Sequence, residues 1–331
     1  MTKFILKFTL ILVFITPKYF AQGSGDQGVT SMGSIVPSNS FQNDEHFVSV
    51  DLGYATGKNN VTLISQSFTY SNNFQENFAT QFRLKTSYTS GVLAKVFTLN
   101  EINFNSDYHL NKNGDFISDI NFGTLITLNF AKKEVENPAN GKKTILPMEY
   151  QGNRGTLDIF VGYTFANDYF NASFGYIQPL TIRNRNYFFP SYWGLGLDKN
   201  NPEDQAIVSN YYHATNEIKY SSDFYTRLGY KVINTSDMFL NLGITGFYRL
   251  RNDRYNNTNN GTNPYYPGNG YHDVEGTKGL SANGVVQFNY QLKDQIEIRV
   301  YAGVPIVKKD LYTDSLERKF FITPSLIWKL N

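Results

Sequence analysis

Charged side chains that fall in the polar phase of alternating segments are where this chain could do chemistry. Arg183, Arg227, Arg249 and Arg299 stand in that phase in the second half of the sequence, and Asp51, Glu101, Asp107, Asp119 and Asp158 mainly in the first. If the polar faces of these segments look into one enclosure, the two sets lie on roughly opposite walls. A guanidinium wall facing a carboxylate wall sets up a transverse field that orients dipolar or anionic solutes in a passage. Arg83 and Lys85 interrupt the segregation. The competing reading is that arginines and carboxylates pair and fill the interior, so that nothing passes.

Two loop-like stretches form the second candidate. Tyr187 to Gly194 carries Phe188, Tyr192 and Trp193, and Tyr265 to Tyr271 carries Tyr265, Tyr266 and Tyr271, both broken by Pro and Gly. Such clusters stack on sugars or capture apolar solutes, or else they pack over the mouth of a barrel.

Enzymatic constellations are absent from the sequence. The histidines are His46, His109, His213 and His272, none in a His-x-Ser pattern on a strand. We expect His213 and His272 in loops and the other two solvated near a rim. No Gly-x-Ser-x-Gly, His-Glu-x-x-His or phosphate loop occurs, so a non-enzyme is expected. Zero cysteines exclude thiolate nucleophiles, cysteine-ligated metals and disulfides. The Asn-rich run Asn256 to Asn263 lacks the clustered carboxylates a hard cation wants, so neither metal nor cofactor is expected.

The elements that must position these groups are strands. From Phe320 to Leu330 every even residue is apolar, namely Phe320, Ile322, Pro324, Leu326, Trp328 and Leu330, against Thr323, Ser325 and Lys329. Ile296, Ile298, Val300, Ala302, Val304 and Ile306 oppose Glu297, Arg299 and Tyr301 in the same way. A repeat of two belongs to a strand, because a helix would spread these residues around its circumference. About twelve such segments recur from Val48 onward, weakest at 61–70, each near the ~9 to 11 residues a tilted membrane strand needs.

Connections near 71–76, 111–115, 166–168, 234–237 and 293–294 are short, and those at 132–154, 186–221 and 253–280 are long. Two connection classes in alternation, with an even strand count, predict an all-β fold. Its form is an up-and-down antiparallel transmembrane β-barrel with long outer loops and short periplasmic turns. A soluble sandwich gives the same alternation within single strands but no reason for two connection classes.

Composition and the N-terminus agree. Lys3 and Lys7, the apolar Phe8 to Ile15 and a cut near Ala21-Gln22 read as a signal peptide over 1–21, too short to span a bilayer as a helix. Residues 22–45 read as an irregular periplasmic lead-in and 46–331 as the barrel. The 24 Tyr and 27 Phe suit interfacial girdles or a carbohydrate-binding β protein. A net charge of +2, spread along the chain, argues against nucleic acid as a partner.

The signal, the barrel pattern and the ending Tyr301-Ala302-Gly303-Val304-Pro305-Ile306 with Phe320 to Leu330 resemble outer-membrane barrels of Bacteroidetes-type bacteria. Within these the chain is similar to the transporter family related to the phenol-degradation meta-pathway proteins. The stretch Gly23 to Gly33 also resembles that family's lead-in, where cysteines stand at the positions of Ser24 and Thr30, so a lead-in disulfide is lost here. Trp328-Lys329-Leu330-Asn331 departs from the terminal aromatic familiar in proteobacterial barrels.

The resemblance implies location in the bacterial outer membrane, with the lipid bilayer, the outer-membrane assembly machinery and small-molecule solutes as partners. It implies passage of small solutes, apolar or aromatic ones among them. The alternative is a non-conducting barrel whose long loops serve adhesion or scaffolding.

Overall fold

The computed structural model describes residues 46–57, 60–91, 93–111, 116–127, 134–136, 141, 143–151, 154–181, 187–189, 213–257, 270–313 and 318–330. The expected signal peptide and lead-in, Arg183, Tyr192, Trp193, Tyr265 and Tyr266 lie outside the described residues.

Twelve antiparallel strands close into a barrel. In chain order the strands are β1 (His46–Gly57), β2 (Thr62–Gln75), β3 (Phe78–Ser90), β4 (Lys95–Asn111) and β5 (Ile117–Thr127). A two-stranded hairpin, β6 (Glu134–Glu136) with β7 (Lys143–Ile145), and one turn of helix, α1 (Met148–Gln151), precede β8 (Thr156–Ala166). Next come β9 (Phe170–Thr181), β10 (Asp223–Asn234) and β11 (Met238–Arg249), then a second hairpin of β12 (Asp253–Asn256) and β13 (Tyr271–Val274). The chain finishes with β14 (Gly279–Lys293), β15 (Ile296–Val307) and β16 (Arg318–Leu330). The two hairpins stand outside the barrel sheet, and each barrel strand pairs with its neighbours in sequence.

The first and last strands seal the cylinder, with Val48 opposite Trp328 and Asp51 opposite Ser325. Closure leaves no row of unpaired N–H and C=O groups at a sheet edge.

Alternation decides which way each side chain points. On β2, Ile64, Phe68 and Tyr70 are exposed outward while Ser67, Thr69 and Ser71 are buried inward. Val50, Leu52 and Tyr54 continue that outer band on β1, Phe104 and Tyr108 on β4, Ile159 and Val161 on β8, and Leu242 and Ile244 on β11. The 11-residue β5, tilted by about 40° at roughly 3.4 Å per residue, rises about 28 Å. That is close to the height of the apolar band on membrane barrels.

At one end the described connections are tight turns. At 167–169 the Asn167 side chain accepts hydrogen bonds from the backbone N–H of Tyr169 (2.9 Å) and Phe170 (2.7 Å), and at 235–237 the Thr235 N–H donates to the Met238 carbonyl at 2.9 Å. Asn and Thr bond the backbone locally in this way, which is why they punctuate strands.

At the other end the connections expected to be long, 132–154, 186–221 and 253–280, are long, 308–317 is intermediate, and 58–61 and 91–94 are as short as the turns opposite. The lower limit of β4 is also earlier than the polar phase suggests. A bulge between β3 and β4 shifts the pairing after Lys85, so Thr98 points inward on one parity and Glu101 on the other. Period-two reading stops at such a shift.

Candidate functional site

The inward faces of the twelve strands form the site. Asp51 lies opposite Ser67 in register, and Arg83 on the next strand reaches over it. The Asp51 carboxylate accepts from Ser67 Oγ at 2.6 Å and from Arg83 Nη2 at 2.9 Å. Lys85 faces Glu101 at 3.9 Å. On the far side Arg227 donates to Gln287 at 3.1 Å, Gln287 to Asn289 at 3.0 Å, and Asn289 to Glu297 at 2.6 Å, where Arg299 also donates at 3.2 Å. The Arg227 guanidinium stands over the Tyr301 ring at 5.3 Å. Asp158 takes Arg154 at 3.3 Å, and Asp107 takes Asn121 at 2.7 Å.

Asp51, Arg83, Glu101, Asp119, Asp158, Arg227, Arg249 and Arg299 all stand on inward faces of the barrel strands. Their pairing corrects the picture of two opposed walls, because the charges neutralise each other locally. Asp223, Asp253 and Glu297 sit among the arginines, and Arg83, Lys85 and Arg154 sit among the carboxylates. An interior of low dielectric makes an unpaired charge costly, and that favours neighbours of opposite sign. His109 is also corrected. It is buried inside the barrel, not solvated at the rim, with Nδ1 2.6 Å from Asp119 Oδ1.

At the loop end the described outer segments fold in. Leu146 and Tyr150, from the 128–155 connection, and Phe188, from the next, are fully buried against Ala55, Leu63, Val285, Tyr301 and Phe321. The Tyr150 ring lies against Gly91, where a Cβ would overlap its hydroxyl, and that hydroxyl accepts from the Leu93 N–H at 3.3 Å. Phe188 is thus a packing residue and not an exposed one. Tyr271 is 38% exposed, beneath Lys219 Nζ at 3.7 Å from its ring centroid.

A buried ionic latch ties these segments to the wall. Arg249, at the end of β11, grips Asp223 through Nε and Nη2, both at 3.0 Å, and Asp253 of β12 through Nη1 at 2.6 Å. Asp253 accepts from the Ser221 N–H at 2.9 Å and from the hydroxyl of Thr313 in the β15–β16 connection. A planar guanidinium serves two carboxylates at once, which an ammonium cannot do with the same geometry.

Sequence reasoning missed two groups. One is an inward cluster of buried apolar residues, Leu125, Phe160, Ile177, Tyr225 and Phe247, on five successive strands of the barrel. Phe160 covers Gly123, and Tyr225 covers Gly162 and Gly175, where any Cβ would collide with the ring. The signal is readable afterwards as aromatics and glycines sharing the inward phase. The other is the pair Asn103 and Asn105 on β4, 0% and 2% exposed. All four of their side-chain polar atoms lack a hydrogen-bond partner. Among the described residues no group of three or more His, Asp or Glu is placed to hold a metal.

No protein-family model matches the sequence, and no curated protein does. Solved structures are similar in fold. The NanC porin shares 11% identity at a TM-score of 0.47, covering 86% of this chain and 100% of its own. An outer membrane channel from Pseudomonas putida F1 shares 9% at 0.48, covering 87% and 96%. The KdgM porin shares 9% at 0.41, covering 86% and 99%. The likeness concerns the barrel, and the reading of this chain rests on its own side chains.

Proposed function

We propose that this chain is a barrel of the bacterial outer membrane that takes small solutes into a narrow, polar lumen. One observation supports this above the rest: large apolar side chains are exposed around the whole outer face of a closed cylinder whose inner face is polar. In water that surface would aggregate, whereas in a bilayer it is the stable one. Both strand ends, His46 and Leu330, lie at the short-turn end, the periplasmic end if the chain is exported by a signal peptide over residues 1–21 and leads in through 22–45. The assembly machinery that inserts barrels is then a partner, and no enzymatic role is proposed.

The lumen we propose is a selective and constricted one. Among the described residues, charges paired across the interior and in-folded outer segments favour solutes passing or binding singly over bulk ion flow. These same observations favour one second reading, a non-conducting barrel presenting its loops as a surface. Liposome swelling separates the two. The mature protein in proteoliposomes admits small uncharged solutes on the first reading, and swelling no faster than empty liposomes for every solute tried supports the second.

A further inference from the structure

On the outward face of β2 the apolar phase breaks at Gln66, which stands exposed between the exposed Ile64 and Phe68. Leu52 lies beside it in register on β1, and Thr86 on β3. On a strand tilted by about 40°, two residues span about 5 Å of height, so apolar side chains flank Gln66 above and below inside the lipid band. The arm of a glutamine is too short to carry its amide past them to water. Thr86 directs its hydroxyl to the Gln66 backbone carbonyl at 3.5 Å, and among the described residues nothing bonds the side-chain amide. Gln178 of β9, the other outward glutamine of the described strands, is served within its own chain. Its Oε1 accepts from the Tyr176 hydroxyl at 2.8 Å and from Ser222 Oγ at 2.9 Å, and its Nε2 donates to the Pro179 carbonyl at 3.1 Å.

We infer that two copies of this barrel associate in the bilayer through the outward face around β2, with the Gln66 amide bonded to Gln66 of the partner subunit. The inference rests on the proposal that the outer face meets lipid. An amide left unpaired in hydrocarbon is costly, and lipid tails offer it neither donor nor acceptor. Association within a bilayer gains little from burying apolar surface, since the tails are equally apolar. Side-chain hydrogen bonds and small groups that let two backbones approach are what drive it. Both are present on this wall. Beside Gln66 the outward phase carries Thr86 and Thr80 on β3 and Ser106 on β4, where β8 presents Ile159, Val161 and Tyr163.

The choice of a second copy follows from symmetry. Copies inserted in one direction are related by a two-fold axis along the membrane normal, so a residue near that axis meets its own counterpart at the same depth. Few polar side chains can satisfy themselves in that way. A carboxylate or an ammonium would meet its own charge, whereas a primary amide carries both donors and an acceptor, and two of them facing each other exchange N–H···O bonds in both directions. Two convex cylinders touch along a narrow stripe, so the contact is small and reversible by mass action. The face meets lipid in dilute vesicles and a copy in crowded ones.

The test is resonance energy transfer between dye-labelled copies of the mature protein in proteoliposomes. The dyes are carried by Glu76→Cys, in the turn that follows β2, or by Ser236→Cys, in the turn that follows β10 on the opposite wall, in a chain with no other cysteine. Transfer should be greater for Glu76→Cys than for Ser236→Cys and should fall as lipid is added. In Gln66→Leu, at least tenfold less lipid should halve the transfer, and Gln66→Asn, which keeps an amide, should lie between. Equal transfer from the two dye positions overturns the inference, as does transfer unchanged in Gln66→Leu. So does the absence of transfer from both, the result if lipid or a different protein covers this face. Vesicle flotation of the same samples keeps the two proposals apart. A protein that does not float with the vesicles overturns the membrane reading and the pairing with it, while one that floats without the specific transfer overturns the pairing alone.

Discussion

Arg249→Met is the substitution from which the latch can be judged. It keeps an unbranched apolar stem but removes the guanidinium from between Asp223 and Asp253, which are 4% and 0% exposed. Three charge-assisted hydrogen bonds go with it, at 3.0, 3.0 and 2.6 Å. Breaking a buried pair from one side costs about 3 to 5 kcal/mol, because the remaining charge is stranded. The barrel ladder does not depend on this arginine side chain, so the cost falls on the docking of β12, β13 and the 308–313 segment. Even 3 kcal/mol raises the undocked population by roughly 100-fold.

Hydrogen exchange reads this locally through the Ser221 amide, bonded to Asp253, and the Asp253 amide, bonded to Thr277 Oγ1 at 2.8 Å. Both should exchange about 100-fold faster in the variant, while amides of the β10–β11 ladder around Gly229 and Gly243 keep their protection. Adding Asp223→Asn and Asp253→Asn to Arg249→Met should recover most of the loss. Unchanged exchange at Ser221 and Asp253 in a folded variant would refute the reasoning, as would equal loss of protection along β10 and β11.

Further expectations concern the wall. Gly162→Val should push Tyr225 off its seat and cost about 1 to 3 kcal/mol, the range for overpacking, seen as a lower midpoint in heat-modified gel mobility. Gly284→Ala, whose Cβ would meet its nearest neighbour at an ordinary 3.6 Å, should leave that midpoint in place. Phe68→Arg, outward near the middle of β2, should cost about 2 to 4 kcal/mol in lipid, measured by urea titration in vesicles, whereas Glu76→Arg in the turn should stay within about 1 kcal/mol.

What was legible in the sequence follows from what a strand enforces. Alternation settled the outward and inward faces of β1, β15 and β16, where one side is apolar and the other mostly polar, and was weakest over β2, where Gln66 shares the outward phase. Phase was lost where pairing shifts, as between Lys85 and Thr86 on β3, since a bulge resets parity without altering composition. The described charged residues, such as Asp51, Arg227 and Arg299, have inward phase as alternation expects, but their partners cannot be read from spacing. Pairing depends on cross-strand register, and Arg249 bonds Asp253, four residues on, only because β12 folds back over the mouth. His109 is hard to read for the same reason: nothing near it in sequence reveals Asp119 as its cross-strand neighbour. The inward apolar cluster hid as a break in the polar phase, with Phe160 and Tyr225 at inward positions beside inward glycines.

The central claim is that the outer face of this cylinder meets lipid. Because the chain has no cysteine, single spin labels are clean. Labels at 64, 68 and 70 and at 67, 69 and 71 can be compared in proteoliposomes for collision with oxygen, which concentrates in lipid, and with a water-soluble nickel chelate. Labels replacing Ile64, Phe68 and Tyr70 should show high oxygen and low nickel accessibility, and those replacing Ser67, Thr69 and Ser71 low accessibility to oxygen. Nickel reaching the outward set, or the absence of any period of two, would contradict the account.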